Sequence, residues 1–177
     1  LGKTWLMSEL YGCTGWQMPF AAHKAVGDWQ SLFGINLRCH HLSWYTMEGE
    51  AKRDYPASIA HQSTWYKEYD TVETYFSRLQ AVMTQGKPVC DILVLNPIES
   101  TWAQIHAGWA SWLSATTPSV VELDRKYMQL FHWLSGAQLD FDYGEEDFIR
   151  RMARVEITPD GPLLRVGQSA YKTVVVS

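Results

Sequence analysis

An α/β chain is predicted by three observations. Apolar runs of strand length alternate with segments of helical spacing. Two of those runs end in polar and aromatic side chains. A third, Asp91-Ile92-Leu93-Val94-Leu95-Asn96, is apolar without alternation. Alternating strands and helices indicate parallel sheets covered by helices, and an unalternating apolar run is a parallel strand buried on both faces. The first unit, residues 1–86, reads as the C-terminal strands of a (β/α)8 barrel. The second, residues 87–177, reads as a truncated doubly wound, Rossmann- or flavodoxin-like domain.

The elements follow in order. Residues 4–9 form a short strand. Pro19 to Phe33 form a helix, because Pro19 suits a first turn, the apolar positions follow helical spacing and Gly34 ends the run. Residues 35–41 form the next strand, which completes a βαβ unit. Residues 46–68 are a long polar loop, of a length that compact proteins use for function or as linkers; its Tyr, Trp and Pro content favours a packed loop. Residues 69–85 form a helix on Val72, Tyr75, Phe76, Leu79, Val82 and Met83, closed by Gly86.

Beyond the buried strand at 91–96 comes a loop with Trp102, His106, Trp109 and Trp112. A helix over 120–136 follows, carried by Val121, Leu123, Tyr127, Leu130, Phe131 and Leu134. A short strand at 139–142, a helix at 145–153, a hairpin-like pair at 155–158 and 162–166, and a last run at 172–176 complete the reading. No internal repeat or low-complexity stretch is visible.

Composition narrows the function classes. The chain has 177 residues, 46% apolar and 19% charged, so a real core is expected. Its net charge of -4, with no basic stripe, argues against nucleic acid and against an anionic membrane surface. No apolar run approaches the roughly 20 residues of a membrane helix, and no signal peptide is expected within this sequence, since Leu1-Gly2-Lys3 leads straight into a strand-like run. Both ends look cut, since Val174-Val175-Val176-Ser177 reads as an unfinished strand. A piece of a longer protein is therefore expected. The piece alone is expected to be inactive and, because an open partial barrel exposes strand edges, poorly soluble.

Cys13, Cys39 and Cys90 make neither a disulfide framework nor a CxxC metal site. Nine Trp and nine Tyr bring aromatic content, with Phe, to 14%. Most of these rings must serve the core; a fraction are candidates for stacking on sugar C–H faces.

Glu9 is the candidate for acid–base work. It ends the apolar run Trp5-Leu6-Met7-Ser8 and precedes the turn-rich stretch Tyr11-Gly12-Cys13-Thr14-Gly15-Trp16. At the C-terminal rim of a barrel such a side chain reads as chemistry. A carboxylate walled by Trp16 and Tyr11 can activate water or stabilise an oxocarbenium-like transition state. Equally open is a salt bridge from Glu9 to Arg38 or Lys24. His40 and His41 are consecutive on a strand, so they point to opposite faces: one toward the barrel mouth, as a substrate or metal ligand, and one toward a helix. No spaced partner completes a metal set, and none is assigned. Trp44 and Tyr45 follow directly.

Other features are weaker. Asp28 either braces the wall or reaches the rim. Lys52-Arg53-Asp54 is a solvated charge run or a clamp over the site. His61 and His106 read as surface histidines. Glu99-Ser100 lies where open α/β sheets bind ligands, but no phosphate-binding, dinucleotide, nucleophile-elbow or zinc-protease motif is present.

The order Ser8-Glu9, a Trp-containing loop, a helix with Lys24 and Asp28, then Gly34-Ile35-Asn36 and His40-His41 resembles the end of the catalytic barrel of glycoside hydrolase family 106 and its uncharacterised relatives. Trp65, Tyr75-Phe76-Ser77-Arg78-Leu79, Gln85-Gly86 and Asp91-Ile92-Leu93-Val94-Leu95 extend the resemblance. It covers most of the chain and is best over residues 1–95. It implies an inverting, α-L-rhamnosidase-like hydrolase acting on a carbohydrate substrate, often with calcium in the full-length protein, though no cofactor is expected in this piece. Glu9 would be the general base on the seventh strand. His40, His41, Trp16, Trp44 and Tyr45 would shape the glycone pocket. The second carboxylic acid, and most calcium ligands, would lie in the missing N-terminal part of the same chain. The stretch Arg53-Asp54-Tyr55-Pro56 departs from the rhamnosidase pattern and leaves the sugar open. A non-catalytic carbohydrate-binding or scaffolding protein carrying the same aromatics is the alternative reading, and a flavodoxin-like redox domain a third.

Overall fold

The computed structural model describes residues 3–52, 58–105 and 117–176. Arg53 to Pro56, His106, Trp109 and Trp112 lie outside the described residues. The fold is mixed α/β, with three small sheets among the described residues. The chain divides into two compact units, one of Lys3–Lys87 and one from Pro88 onward.

The first unit is built on a parallel pair, β1 (Met7–Leu10) and β2 (Leu37–His40), joined through α1 (Phe20–Leu32). Asn36 ties the entry to the pair: its Oδ1 accepts from Leu6 N at 2.8 Å and its Nδ2 donates to Thr4 O at 2.8 Å. A single 3₁₀ turn, Glu50–Lys52, interrupts the loop after β2. Then α2 (Asp70–Met83) follows, with Val72 and Phe76 on its buried stripe. Phe76 is the centre of this unit, 0% exposed, with Tyr69 and Val72 beside it and Phe20, Ile59, Trp65, Tyr75 and Leu79 around them. Burying a ring of that size contributes roughly 2–3 kcal/mol. Gly27 on α1 makes the approach possible, since a Cβ there would stand 2.1 Å from Phe76 Cζ.

The second unit holds two sheets. In one, β3 (Ile92–Asn96) is central, with β4 (Phe141–Glu145) and β8 (Thr173–Val175) parallel to it on either side. Leu93 and Val94 of β3 are buried. Here α4 (Pro118–Gly136) lies along the sheet through Tyr127 against Tyr143, ring centroids 5.0 Å apart, and Phe131 against Phe141 at 6.0 Å. The Thr117 side chain accepts from Val120 N and caps α4, with Pro118 in its first turn. After α5 (Glu146–Met152) comes an antiparallel meander of β5 (Ala153–Thr158), β6 (Gly161–Val166) and β7 (Ser169–Tyr171).

Two elements depart from the sequence reading. The loop after β3 contains a short helix, α3 (Ile98–Trp102). Its first turn is capped from a distance: Glu146 Oε2 accepts from Glu99 N at 2.6 Å and Ser100 N at 3.1 Å, and Oε1 accepts from Ser100 Oγ at 2.5 Å. The meander also has a third strand, β7, whose Ser169-Ala170-Tyr171 carries no strand signal of its own and is held by pairing with β6.

Candidate functional site

Strand alternation decides what each side chain of β1 and β2 faces. The register sets Ser8 beside Arg38, Glu9 beside Cys39 and Leu10 beside His40. Ser8, Leu10, Arg38 and His40 therefore share the face that α1 and α2 cover, and Leu10 is buried there. Met7, Glu9, Leu37 and Cys39 share the opposite face, where Met7 and Leu37 are exposed. His41, one residue past β2, has the parity of that open face.

On the open face Glu9 and His41 come together. Glu9 Oε1 is 3.8 Å from His41 Nε2, and the Glu9 side chain is 66% exposed. The His41 backbone extends the ladder, its N donating to Leu10 O at 2.8 Å. Gly12 makes room for the imidazole: a Cβ at position 12 would approach His41 Nδ1 to 3.3 Å. The salt bridge weighed for Glu9 does not form, because Arg38 pairs with Glu73 at 2.8 Å and Lys24 with Asp28 at 2.5 Å. Asp28 also accepts from Tyr75 Oη at 2.8 Å, so it braces α1 against α2.

The aromatic candidates lie on the loops past the two strands. Trp16 is exposed, Trp44 half-buried, and Tyr45 is 95% exposed. None of the three makes a ring–ring contact among the described residues. The loop carrying Trp44 is held by Ser58 and Gln62: Trp44 N donates to Ser58 Oγ at 3.2 Å, and Gln62 Nε2 donates to Trp44 O at 2.6 Å. Ser58 Oγ also donates to Gln62 Oε1 at 2.8 Å.

Two expectations change. Tyr11 does not wall Glu9. It turns under the sheet, where it is buried, donates from Oη to His23 O at 3.1 Å and accepts from Arg38 Nη1 at 3.1 Å. His40 does not share a face with Glu9 either. It faces α2, with Nε2 3.1 Å from both Tyr69 Oη and Glu73 Oε1. The sequence showed that the two histidines part; the register shows which goes where.

Sequence reasoning missed this polar cluster of Tyr11, His23, Arg38, His40, Tyr69 and Glu73, which is buried except at Glu73 and partly at His40. One signal was available: Tyr69, Val72, Glu73 and Phe76 fall on one helical stripe, so Glu73 is a charge on an apolar face. Protons in the cluster can be assigned. An ionised Glu73 beside His40 Nε2 calls for a hydrogen on that nitrogen. Tyr69 then accepts from His40 and has its own hydrogen left for His23 Nδ1, 3.1 Å away. His23, 2% exposed, is thus neutral. Its pKa is lowered by burial and then by the neighbouring His40 and Arg38 charges. Burial pushes the Glu73 carboxyl up, but the His40 contact and the Arg38 guanidinium outweigh it and hold Glu73 below the usual range. The Tyr69 phenol is pushed well up, chiefly by burial. Arg38 also lies 3.8 Å from the centre of the Phe76 ring. The cluster clamps β2 to α2 and leaves the other face to Glu9 and His41.

No group of three His, Cys, Asp or Glu side chains suited to a metal occurs among the described residues. Calcium takes roughly six to eight oxygen ligands, more than the Glu9 carboxylate supplies. In the second unit, the first-turn N–H groups of α3 already bond to Glu146. An anion cradle after β3, as a flavin phosphate would need, is thereby filled by a carboxylate of the chain itself.

Comparison of the chain with protein-family models and with curated proteins finds no match. The functional reading therefore rests on residues and geometry.

Proposed function

We propose that the chain is part of a glycoside hydrolase, cleaving O-glycosidic bonds with inversion, in which Glu9 is the general base. One observation carries this reading. Adjacent parallel strands deliver a solvent-facing carboxylate and an imidazole 3.8 Å apart to the same open face, opposite the helices. A side chain at a strand's C-terminal end, on the face away from the helices, is where a (β/α)8 barrel keeps its chemistry. In this reading the first unit closes such a barrel, and the second is a doubly wound, flavodoxin-like accessory domain beginning with β4, β3 and β8.

Each residue has a role in this reading. Glu9 takes a proton from the attacking water. His41, whose Nε2 stands 3.8 Å from Glu9 Oε1, donates to a sugar hydroxyl held beside the carboxylate. In this reading Trp16, Trp44 and Tyr45, which make no ring–ring contact among the described residues, lie against the sugar. His40 lies on the helix side, where it ties β2 to α2 through Tyr69 and Glu73, and takes no part in the reaction. An inverting mechanism requires a carboxylic acid roughly 6.5–9.5 Å from the base, with a water between them. We assign that acid to a segment N-terminal to residue 1, together with any calcium ligands; no step is assigned to the ion.

The test is hydrolysis of aryl glycosides, α-L-rhamnoside included, by a longer chain that contains these residues. Glu9→Gln should lower turnover by about 10²–10⁴-fold, the usual range for a positioned acid or base, without a change in thermal unfolding. Turnover within a factor of a few of the parent removes Glu9 from the mechanism. A parent that binds the sugars and hydrolyses none is a carbohydrate-binding protein.

A further inference from the structure

We propose that the second unit carries a binding site of its own for a neutral pyranose, in the cavity at the C-terminal end of β3. The cavity has a volume of about 320 Å³ and lies among Asn96, Thr101, Trp102, Val120, Asp124 and Tyr127. Asn96 is the last residue of the central strand of the parallel sheet, and crevices at the carboxyl ends of such strands are where open α/β sheets hold ligands. The volume is at the small end of ligand cavities, which run from roughly 300 Å³ upward. It suits a monosaccharide rather than a long chain.

The chemistry of the wall selects the ligand. Trp102 is 65% exposed and Tyr127 half-buried, so two aromatic side chains border the space, while Val120 closes it on an apolar base. Three polar groups of different kinds also reach it. The Asn96 amide and the Asp124 carboxylate have no hydrogen-bond partner or ion pair among the described residues. Thr101 donates its hydroxyl hydrogen to Pro97 O at 2.8 Å, which leaves the oxygen as an acceptor. Among the described residues no Lys, Arg or His lines the cavity, and the nearby first turn of α3 is capped by Glu146. Phosphates and carboxylates therefore meet no positive partner among the described residues of the wall. An ammonium ligand would satisfy Asp124 but leave the Asn96 donors unmet. A sugar ring answers all of these features, with an apolar C–H face for the rings and hydroxyls that both donate and accept.

This inference uses residues of the second unit alone and stands or falls apart from the role of Glu9. The test is saturation-transfer NMR on the 177-residue chain with methyl α-L-rhamnopyranoside, methyl β-D-galactopyranoside and methyl β-D-glucopyranoside at roughly millimolar concentration. Trp102→Ala and Asp124→Asn change side chains of exposed residues, and circular dichroism checks that each variant is folded. Transfer to at least one glycoside, weakened about tenfold or more in both variants and unchanged in Glu9→Gln, supports the site. Absence of transfer from all three glycosides overturns it. So does transfer that survives Trp102→Ala, and so does transfer lost in Glu9→Gln, which would place binding on the first unit instead. Acetate or phosphate competing for the same signals would contradict the exclusion of anions.

Discussion

Gly27 sits on α1 where the Phe76 ring of α2 comes closest. An alanine Cβ there would lie 2.1 Å from Phe76 Cζ and 2.6 Å from Cε1, well inside contact distance. The ring has nowhere to go: Phe76 has no exposed surface, and the Arg38 guanidinium covers one of its faces at 3.8 Å. Ordinarily Gly→Ala in a helix interior gains about 0.8–1 kcal/mol. Overpacking of a full core costs about 1–3 kcal/mol, occasionally more, and a clash this deep belongs at the upper end. The expected net change is a loss of about 1–2 kcal/mol. Native-state hydrogen exchange of the α1 and α2 amides reads the first unit separately from the second. Protection there should fall by about 5- to 30-fold, which is that loss expressed as an equilibrium ratio, while β3 amides are unchanged. Adding Phe76→Leu should make the pair less damaging than the sum of the single changes, by roughly 0.5 kcal/mol or more. Greater protection in Gly27→Ala alone would refute the described helix contact, and with it the reason one face of β1 and β2 is closed.

Other expectations follow from the cluster under the sheet. Arg38→Met leaves Glu73 without its guanidinium; because the Glu73 side chain is 44% exposed, the loss is set at about 2 kcal/mol, below that of a fully buried pair. It should appear as lower exchange protection on α2. The pH dependence has a defined sign. His23 and Glu73 both have folded pKa values below their ordinary 6.5 and 4.5. Their contributions are complete above those values and are lost as pH falls toward the folded ones. Stability of the first unit should thus decline first below 6.5, through His23, and again below 4.5, through Glu73. His23→Gln should flatten the upper step in an acid titration followed by exchange; an unchanged upper step would show that His23 does not cause it. In an active longer chain, His41→Ala should lower turnover far more than His40→Ala lowers it at equal stability, since only His41 reaches Glu9; equal effects would contradict the face assignment.

Where the sequence was legible, the signal was local. The run Ile92-Leu93-Val94-Leu95 needs no partner to be recognised, and the structure pairs it in parallel on both sides. Helices α1, α2 and α4 announce themselves by periodic apolar positions, and the hairpin of β5 and β6 by two extended runs around Pro159-Asp160-Gly161. What escaped was held by distant partners. Helix α3 is a turn of five residues whose cap, Glu146, comes 46 residues after Ser100. Strand β7 exists because β6 offers it an edge. The Arg38–Glu73 pair spans 35 positions, so nothing local linked Arg38 to Glu73 rather than to Glu9. Alternation separated His40 from His41 but could not say which faced the helices, because that depends on which side α1 and α2 cover. Tyr11 was misplaced for a related reason: it follows β1 with φ at 68°, in the left-handed region, where strand alternation no longer predicts direction.

The most direct measurement is the turnover of Glu9→Gln against aryl glycosides, in a chain long enough to hold a second carboxylic acid. A fall of about 10²-fold or more with unaltered folding is the predicted result. Turnover matching the parent would contradict the claim that the open end of β1 and β2 is a seat of hydrolysis.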